Sequence, residues 1–232
     1  MNSLLTTVAA FYNSSIGKKI IVALTGVAML LFLAGHLAGN LLVFKGPEAI
    51  NSYAKWLHSL GRLLWVARIG LLVALVLHVV ATIQLVRANK AARPVPYGCD
   101  STRRASKASR TMIVSGLVIL SFVIYHLMHY TWGVLNGYYD PANPRYFTNG
   151  EHNVYNMVID GFSWAPASVF YIVSMGLLCL HLSHGVSSSL QTLGLTSPRT
   201  RVAIDLGGKA YALIIFVGNV SIPLAIMLGL KK

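Results

Sequence analysis

Acidic side chains are scarce in this sequence: six Asp and Glu among 232 residues, against 19 Lys and Arg. Charged residues make up only 11% of the chain, where a soluble domain carries about 25%, so a water-facing surface of ordinary extent cannot be built from them. Cysteine is limited to Cys99, in a basic loop, and Cys179, inside an apolar run, which excludes a disulfide between them. An iron–sulfur cluster takes about four thiolates, so this chain does not hold one. C-x-x-C-H is absent, which excludes covalent c-type haem. G-x-G-x-x-G and the P-loop pattern are absent as well, so flavin or nucleotide chemistry belongs to another chain.

What fills the sequence instead is apolar. Hydrophobic residues make up 55% of it and the mean hydropathy is +0.63. Five runs are long enough to cross a bilayer, which takes about 20 residues of helix. The expected fold is an all-α integral membrane protein with a single membrane domain over 1–232. Its spans fall at about 18–44, 63–88, 110–134, 166–193 and 207–230. The first apolar run follows Lys18 and Lys19 and is too long for a signal core, so it is expected to stay as the first span. With the N-terminus inside, the inner segments hold Lys18, Lys19, the seven basic residues from Arg87 to Arg110, Arg199, Arg201 and Lys209. Positive charge therefore favours that orientation. The net charge of +13 reads as topology anchors and a docking platform for a soluble partner, with no nucleic-acid role, because no soluble domain exists to host one.

The chemistry lies in the histidines. His58 and His152 fall in outer connections. His36, His78, His126, His129, His181 and His184 fall in four consecutive spans, and the fifth span has none. At 1.5 Å per residue, His36 and His126 lie about 24–25 Å from the inner face, and His78, His181 and His184 about 14–20 Å. Two layers result, an outer one on spans one and three and an inner one on spans two and four. An imidazole in hydrocarbon is costly unless its nitrogens are satisfied. Facing histidines at one depth are what bis-imidazole haem ligation needs, and helix bundles build cofactor sites in this way. Proton-relaying transporters add carboxylates to their spans, and here all six acids lie outside the apolar zone expected of the spans.

Within the close pairs, His126/His129 and His181/His184 are each three residues apart, so helix face alone does not choose between them. An internal echo does for the first pair. "TGVAMLLFLAGH" sets His36 ten residues after Gly26, and "SGLVILSFVIYH" sets His126 ten residues after Gly116. His129 is then free for a propionate, a quinone or a simple hydrogen bond. Gly35, Gly39 and Gly185 beside the histidines offer either close helix packing or room for a porphyrin edge.

Taken together, "SSIGKKIIVALTG", "AGHLAGNLLVFKGPEAINSYAKWLHSLG" and "HLSHGVSSSLQTLG" give a chain that resembles, over nearly its whole length, the cytochrome b subunit of succinate:quinone oxidoreductases (succinate dehydrogenase and fumarate reductase) in the five-helix, dihaem form. The resemblance implies that the first four helices form a haem-binding bundle with two haem b groups. His36 and His126 would be axial to the outer haem iron, and His78 and His181 to the inner. In span four the family's histidine, followed by glycine four residues on and a glycine ending the helix, matches His181, Gly185 and Gly194. His184 matches no ligand position.

The resemblance also implies an electron-transfer role in a respiratory chain, with quinone as substrate. The partners would be a flavoprotein carrying FAD and an iron–sulfur subunit, both on the inner side of the bacterial cytoplasmic membrane. Lipid surrounds such an anchor, and an oligomer of the complex is compatible with it. Arg62, Arg68 and Arg145 are candidates for outer propionates, and Ser187, Ser188 and Gln191 for the neighbourhood of the inner haem. In the first outer loop Ile50, Tyr53, Ala54 and Leu57 share a helical face, although Tyr53 and Trp56 read first as bilayer anchors. The aromatic second outer loop, from Gly133 to Pro166, is expected to cover the outer pocket. Two other functions compete with this one: a cytochrome b anchor of hydrogenase or formate dehydrogenase type, and a histidine-lined proton-coupled transporter.

Overall fold

The computed structural model describes residues 2–92, 95, 107–148 and 150–231. Most of the basic loop, with Cys99 and Asp100, lies outside the described residues, and so does the docking platform expected there. The described chain is helical almost throughout: α1 (Asn2–Asn13), α2 (Ser15–Asn40), α3 (Pro47–Ser59), α4 (Arg62–Ala91), α5 (Lys107–Arg110), α6 (Met112–His126), α7 (Val154–Ser163), α8 (Ala165–Thr192) and α9 (Arg201–Met227). A two-residue hairpin, β1 (Phe147–Thr148) with β2 (Glu151–His152), is the sole sheet among the described residues. Among the described residues five helices are long and apolar enough to cross a membrane: Ser15–Lys45, Arg62–Ala91, Met112–Thr131, Ala165–Thr192 and Arg201–Met227. The all-α membrane fold is therefore as expected.

Local chemistry sets the boundaries. Ser14 accepts from the Gly17 N–H at 2.9 Å and starts α2, leaving α1 as a separate N-terminal helix that hydropathy alone does not reveal. α2 tightens into a 3₁₀ turn at Leu41–Lys45 and stops at Gly46, whose φ of +104° suits glycine. Pro47 then opens α3, its fixed φ suited to a first helical turn and its missing N–H costing nothing there. At the far end of α6 the helix widens into a π turn over Leu127–Thr131, closed by Trp132 N–H to the Leu127 carbonyl at 2.7 Å. Such turns shift every later side chain around the axis, and they concentrate at functional sites.

α8 is the central element, packed on α2, α6 and α9. Lipid tails are as apolar as leucine, so helix association in a membrane rests on close packing at small residues more than on hydrophobic burial. Leu37 of α2 lies directly against Gly218 of α9, Val186 and Ser187 of α8 against Gly208 of α9, and Tyr130 against Gly161 of α7. α4 differs: among the described residues it packs substantially on α2 alone, and Trp65, Ile69, Leu72, Val76 and Val80 face outward.

One end of the bundle, the cap end, is covered by α3, the hairpin and α7. Tyr53 turns inward there, its ring filling the place where Gly39 would carry a Cβ, and Ile50 is buried. Trp56 stays exposed, so of the two expected anchors only Trp56 faces outward. Asn51 ties α3 to α7 by accepting from the Tyr155 N–H at 3.0 Å and donating to Asn153 at 3.2 Å. Asn153 in turn caps α7 through the Asn156 N–H.

Candidate histidine layers in the helix bundle

The cap-side layer joins α2, α6 and α8. The rings of His36 and His126 meet edge-on, centroids 5.7 Å apart and planes at 90°. Each stacks on a phenylalanine one turn earlier in its own helix: Phe32 on His36 at 5.2 Å and Phe122 on His126 at 5.9 Å. The two stretches therefore repeat a phenylalanine as well as the glycine–histidine spacing, a signal present in the sequence itself. Tyr171 of α8 sets its hydroxyl 3.1 Å from His126 Nδ1 and 3.2 Å from His129 Nδ1. His129, on the π turn, is 1% exposed and sits in an aromatic box, 4.0 Å from Tyr130 with Tyr125, Tyr138 and Tyr171 around it. Tyr171 was not singled out from sequence, and nothing local to it marks its role. Only the fold brings it between two histidines more than 40 positions away.

The other layer joins α2 with α4 and α6 with α8. His78 Nδ1 lies 3.1 Å from Thr25 Oγ1 and 3.1 Å from the Val22 carbonyl. A carbonyl only accepts, so Nδ1 of His78 carries the proton. Thr25 gives its own proton to the Ile21 carbonyl at 2.6 Å and so receives the imidazole N–H. His181 Nδ1 lies 3.2 Å from Ser115 Oγ, whose own proton goes to the Met112 carbonyl. Both rings rest close to a glycine on the supporting helix. A Cβ on Gly26 would stand 3.5 Å from His78 Cε1, and one on Gly116 would stand 3.6 Å from His181 Cε1. From Thr25 to His36, and from Ser115 to His126, eleven residues separate the layers, about 16 Å along each helix.

Other candidates fall in varied places. His184 is half-buried, and Gln191 is exposed. Ser187 faces Gly208 of α9, so it points away from the histidines, whereas Ser189 comes to Gly26 of α2 beside His78. Arg62 is exposed. Arg68 is exposed as well and lies over the Trp65 ring at 5.2 Å. Arg145 grips Asp160 with two guanidinium nitrogens, and Tyr146 donates to the same carboxylate at 2.9 Å. That pairing leaves Arg145 engaged in the cap. Gly39 is filled by Tyr53, while Gly35 and Gly185 adjoin open space.

Electrostatics outside the spans is concentrated in the cap. The Arg145 hydrogen bonds hold the Asp160 carboxyl below its ordinary range. Burial pushes the Tyr138 phenol up to about 12 and lowers His152, which donates from Nε2 to the Tyr138 carbonyl at 3.0 Å. His152 is enclosed between the rings of Tyr139 and Phe147.

No family model, curated protein or solved structure matches this chain. The donor set therefore has to be judged by its own chemistry. Among the described residues no group of three or more His, Cys, Asp or Glu converges, so a bare ion needing three or four protein ligands has no site there. Haem iron draws four nitrogens from its porphyrin and asks the protein for two axial groups only. One pair, His36 and His126, can be compared with that smaller demand. Two imidazoles with metal–nitrogen bonds of about 2 Å would place their ring centroids about 6 Å apart, close to the separation of His36 and His126. In the second layer the Nδ1 atoms are engaged, which leaves Nε2 as the free electron pair. Thr82 Oγ1, one turn from His78 on α4, is buried without a partner, as is Tyr130 Oη at the cap.

Proposed function

We propose that this chain is the dihaem cytochrome b anchor of a succinate:quinone oxidoreductase. On this reading it passes electrons between an iron–sulfur partner at the basal, inner end and membrane quinone. The observation that supports it most is the meeting of His36 and His126, from two different helices, ring to ring at 5.7 Å in a zone where polar side chains are costly. A haem bound between two imidazoles supplies a one-electron iron couple.

The chain's own residues do the rest. His36 and His126 would hold one group, and His78 and His181 the other. Phe32 and Phe122 fix the planes of the first pair, and Thr25 and Ser115 orient the second. Among the described residues α4 packs substantially on α2 alone, and on this reading the two planar groups would lie beside these helices. On this reading quinone would react at the end of the bundle covered by α3, the hairpin and α7, where Tyr130 Oη and His129 offer hydrogen-bonding groups.

The purified chain tests this directly. A reduced-minus-oxidised visible spectrum with a haem assay should give two non-covalent b-type haems per chain. One haem, or none, from an intact preparation overturns the dihaem reading. Co-purification with a flavin-bearing chain is expected of the succinate:quinone complex, and a hydrogenase or formate dehydrogenase partner in its place would reassign the anchor.

A further inference from the structure

We infer that Thr25 and Ser115 are a matched pair of positioning residues that set the electron-donating strength of the inner histidines, each acting from a neighbouring helix. The inference rests on the dihaem reading and deepens it. Its basis is the repeated stretch: α2 and α6 each carry, in the same register, a hydroxyl, a glycine, a phenylalanine and a histidine. The histidine and phenylalanine serve the cap-side layer. The hydroxyl and glycine serve the other layer, and they serve a histidine that belongs to a different helix. Thr25 accepts from the Nδ1–H of His78 on α4 at 3.1 Å, and Ser115 from that of His181 on α8 at 3.2 Å. Gly26 and Gly116 allow the ring to come that close.

Two consequences follow from the chemistry. An Nδ1–H that donates to an oxygen leaves Nε2 more basic, so the ligand stabilises ferric iron more strongly. The same bond also locks the ring, because an imidazole N–H turned toward hydrocarbon loses its partner and pays the full desolvation cost. The two sites are not equivalent. His78 keeps a second acceptor, the Val22 carbonyl at 3.1 Å, whereas Ser115 is the partner the structure gives His181. Loss of Ser115 therefore weighs more than loss of Thr25. In the cap-side pair His126 meets a phenol, Tyr171, so the two haems would be tuned by separate groups.

The test uses the complete complex in membranes, with Ser115→Ala, Ser115→Cys, Ser115→Thr, Thr25→Val and Thr25→Ser. The readouts are a redox titration of the haem bands and the low-spin electron paramagnetic resonance signals. Ser115→Ala should raise the midpoint of one haem and leave the other in place. Ser115→Cys, which keeps the volume but accepts weakly, should do the same, and Ser115→Thr should restore the original value. Thr25→Val should move the same haem in the same direction by less, with Thr25→Ser silent. Loss of that one haem from Ser115→Ala, with the other midpoint unmoved, supports the inference equally. Unmoved midpoints, equal shifts of both haems, or loss of both from Ser115→Ala and Thr25→Val alike overturn it. A wild-type complex holding fewer than two haems fails the dihaem reading itself, a result distinct from any of these.

Discussion

A single phenol couples the tautomers of two histidines. Tyr171 has one proton to give, and it lies within hydrogen-bond reach of Nδ1 on both His126 and His129. With His126 donating from Nδ1 to the phenol oxygen, Tyr171 donates onward to His129, and His126 Nε2 becomes the lone pair beside His36. His129 is then consumed as an acceptor, held by its stack on Tyr130. His126→Ala and His181→Ala are accordingly expected to abolish one haem each, while His129→Ala and His184→Ala retain both. His129→Ala should still cost about 1–3 kcal/mol of stability, because it strands the Tyr171 proton in a buried site. Haem stoichiometry of the four variants checks the assignment, and thermal melting checks the cost. Loss of a low-spin haem in His184→Ala would move the ligand on α8 by one turn.

At the level of elements, the spans were legible and the cap only in part, for physical reasons. A bilayer imposes some twenty apolar residues on each crossing, so α2, α4, α6, α8 and α9 announce themselves locally. The spacing that marked His36 and His126 was legible too, because one helix register carries it. α1, the π turn after His126 and the inward turn of Tyr53 have no such local signature. The cap depends on partners far apart in sequence: Asn51 and Asn153 are 102 positions apart. Asn51→Ala removes two hydrogen bonds at once and is expected to cost the cap about 1–3 kcal/mol, read as faster amide exchange in α3 and α7 with the spans unchanged. Acid should loosen the same region in two steps. His152 is lowered by burial, so its contribution is present above its unfolded value of about 6.5 and fades as the pH falls below it. Asp160 is depressed by Arg145, so its contribution is present above the unfolded carboxylate value of about 3.9 and is lost as the pH falls through the lower folded one. Amide exchange across the pH range should show both steps, and Asp160→Asn should remove only the lower.

For the whole molecule, the question is whether charge crosses the membrane alone. Glu48, Asp140, Glu151 and Asp160 lie at the cap end, Asp205 lies near the start of α9, and α2, α4, α6 and α8 contain no carboxylate. The polar chain of His129, Tyr171 and His126 stops at the cap-side layer. In the 16 or so ångströms below it, α6 and α8 offer Ser121, Ser174 and Cys179, and the first of these hydroxyls is already bonded to the Leu117 carbonyl. None of these groups carries a proton as a charge through apolar surroundings at neutral pH. Electrons moving between an inner partner and a quinone at the cap would thus travel without a compensating proton. Each full charge works against about 2.3 kcal/mol per 100 mV of membrane potential. Turnover by the complete complex in sealed proteoliposomes is therefore expected to be electrogenic, seen with a potential-sensitive dye, and to slow as an opposing potential is imposed. Turnover that leaves the dye unchanged would place quinone chemistry at the basal end, or would require a proton path through groups other than these side chains.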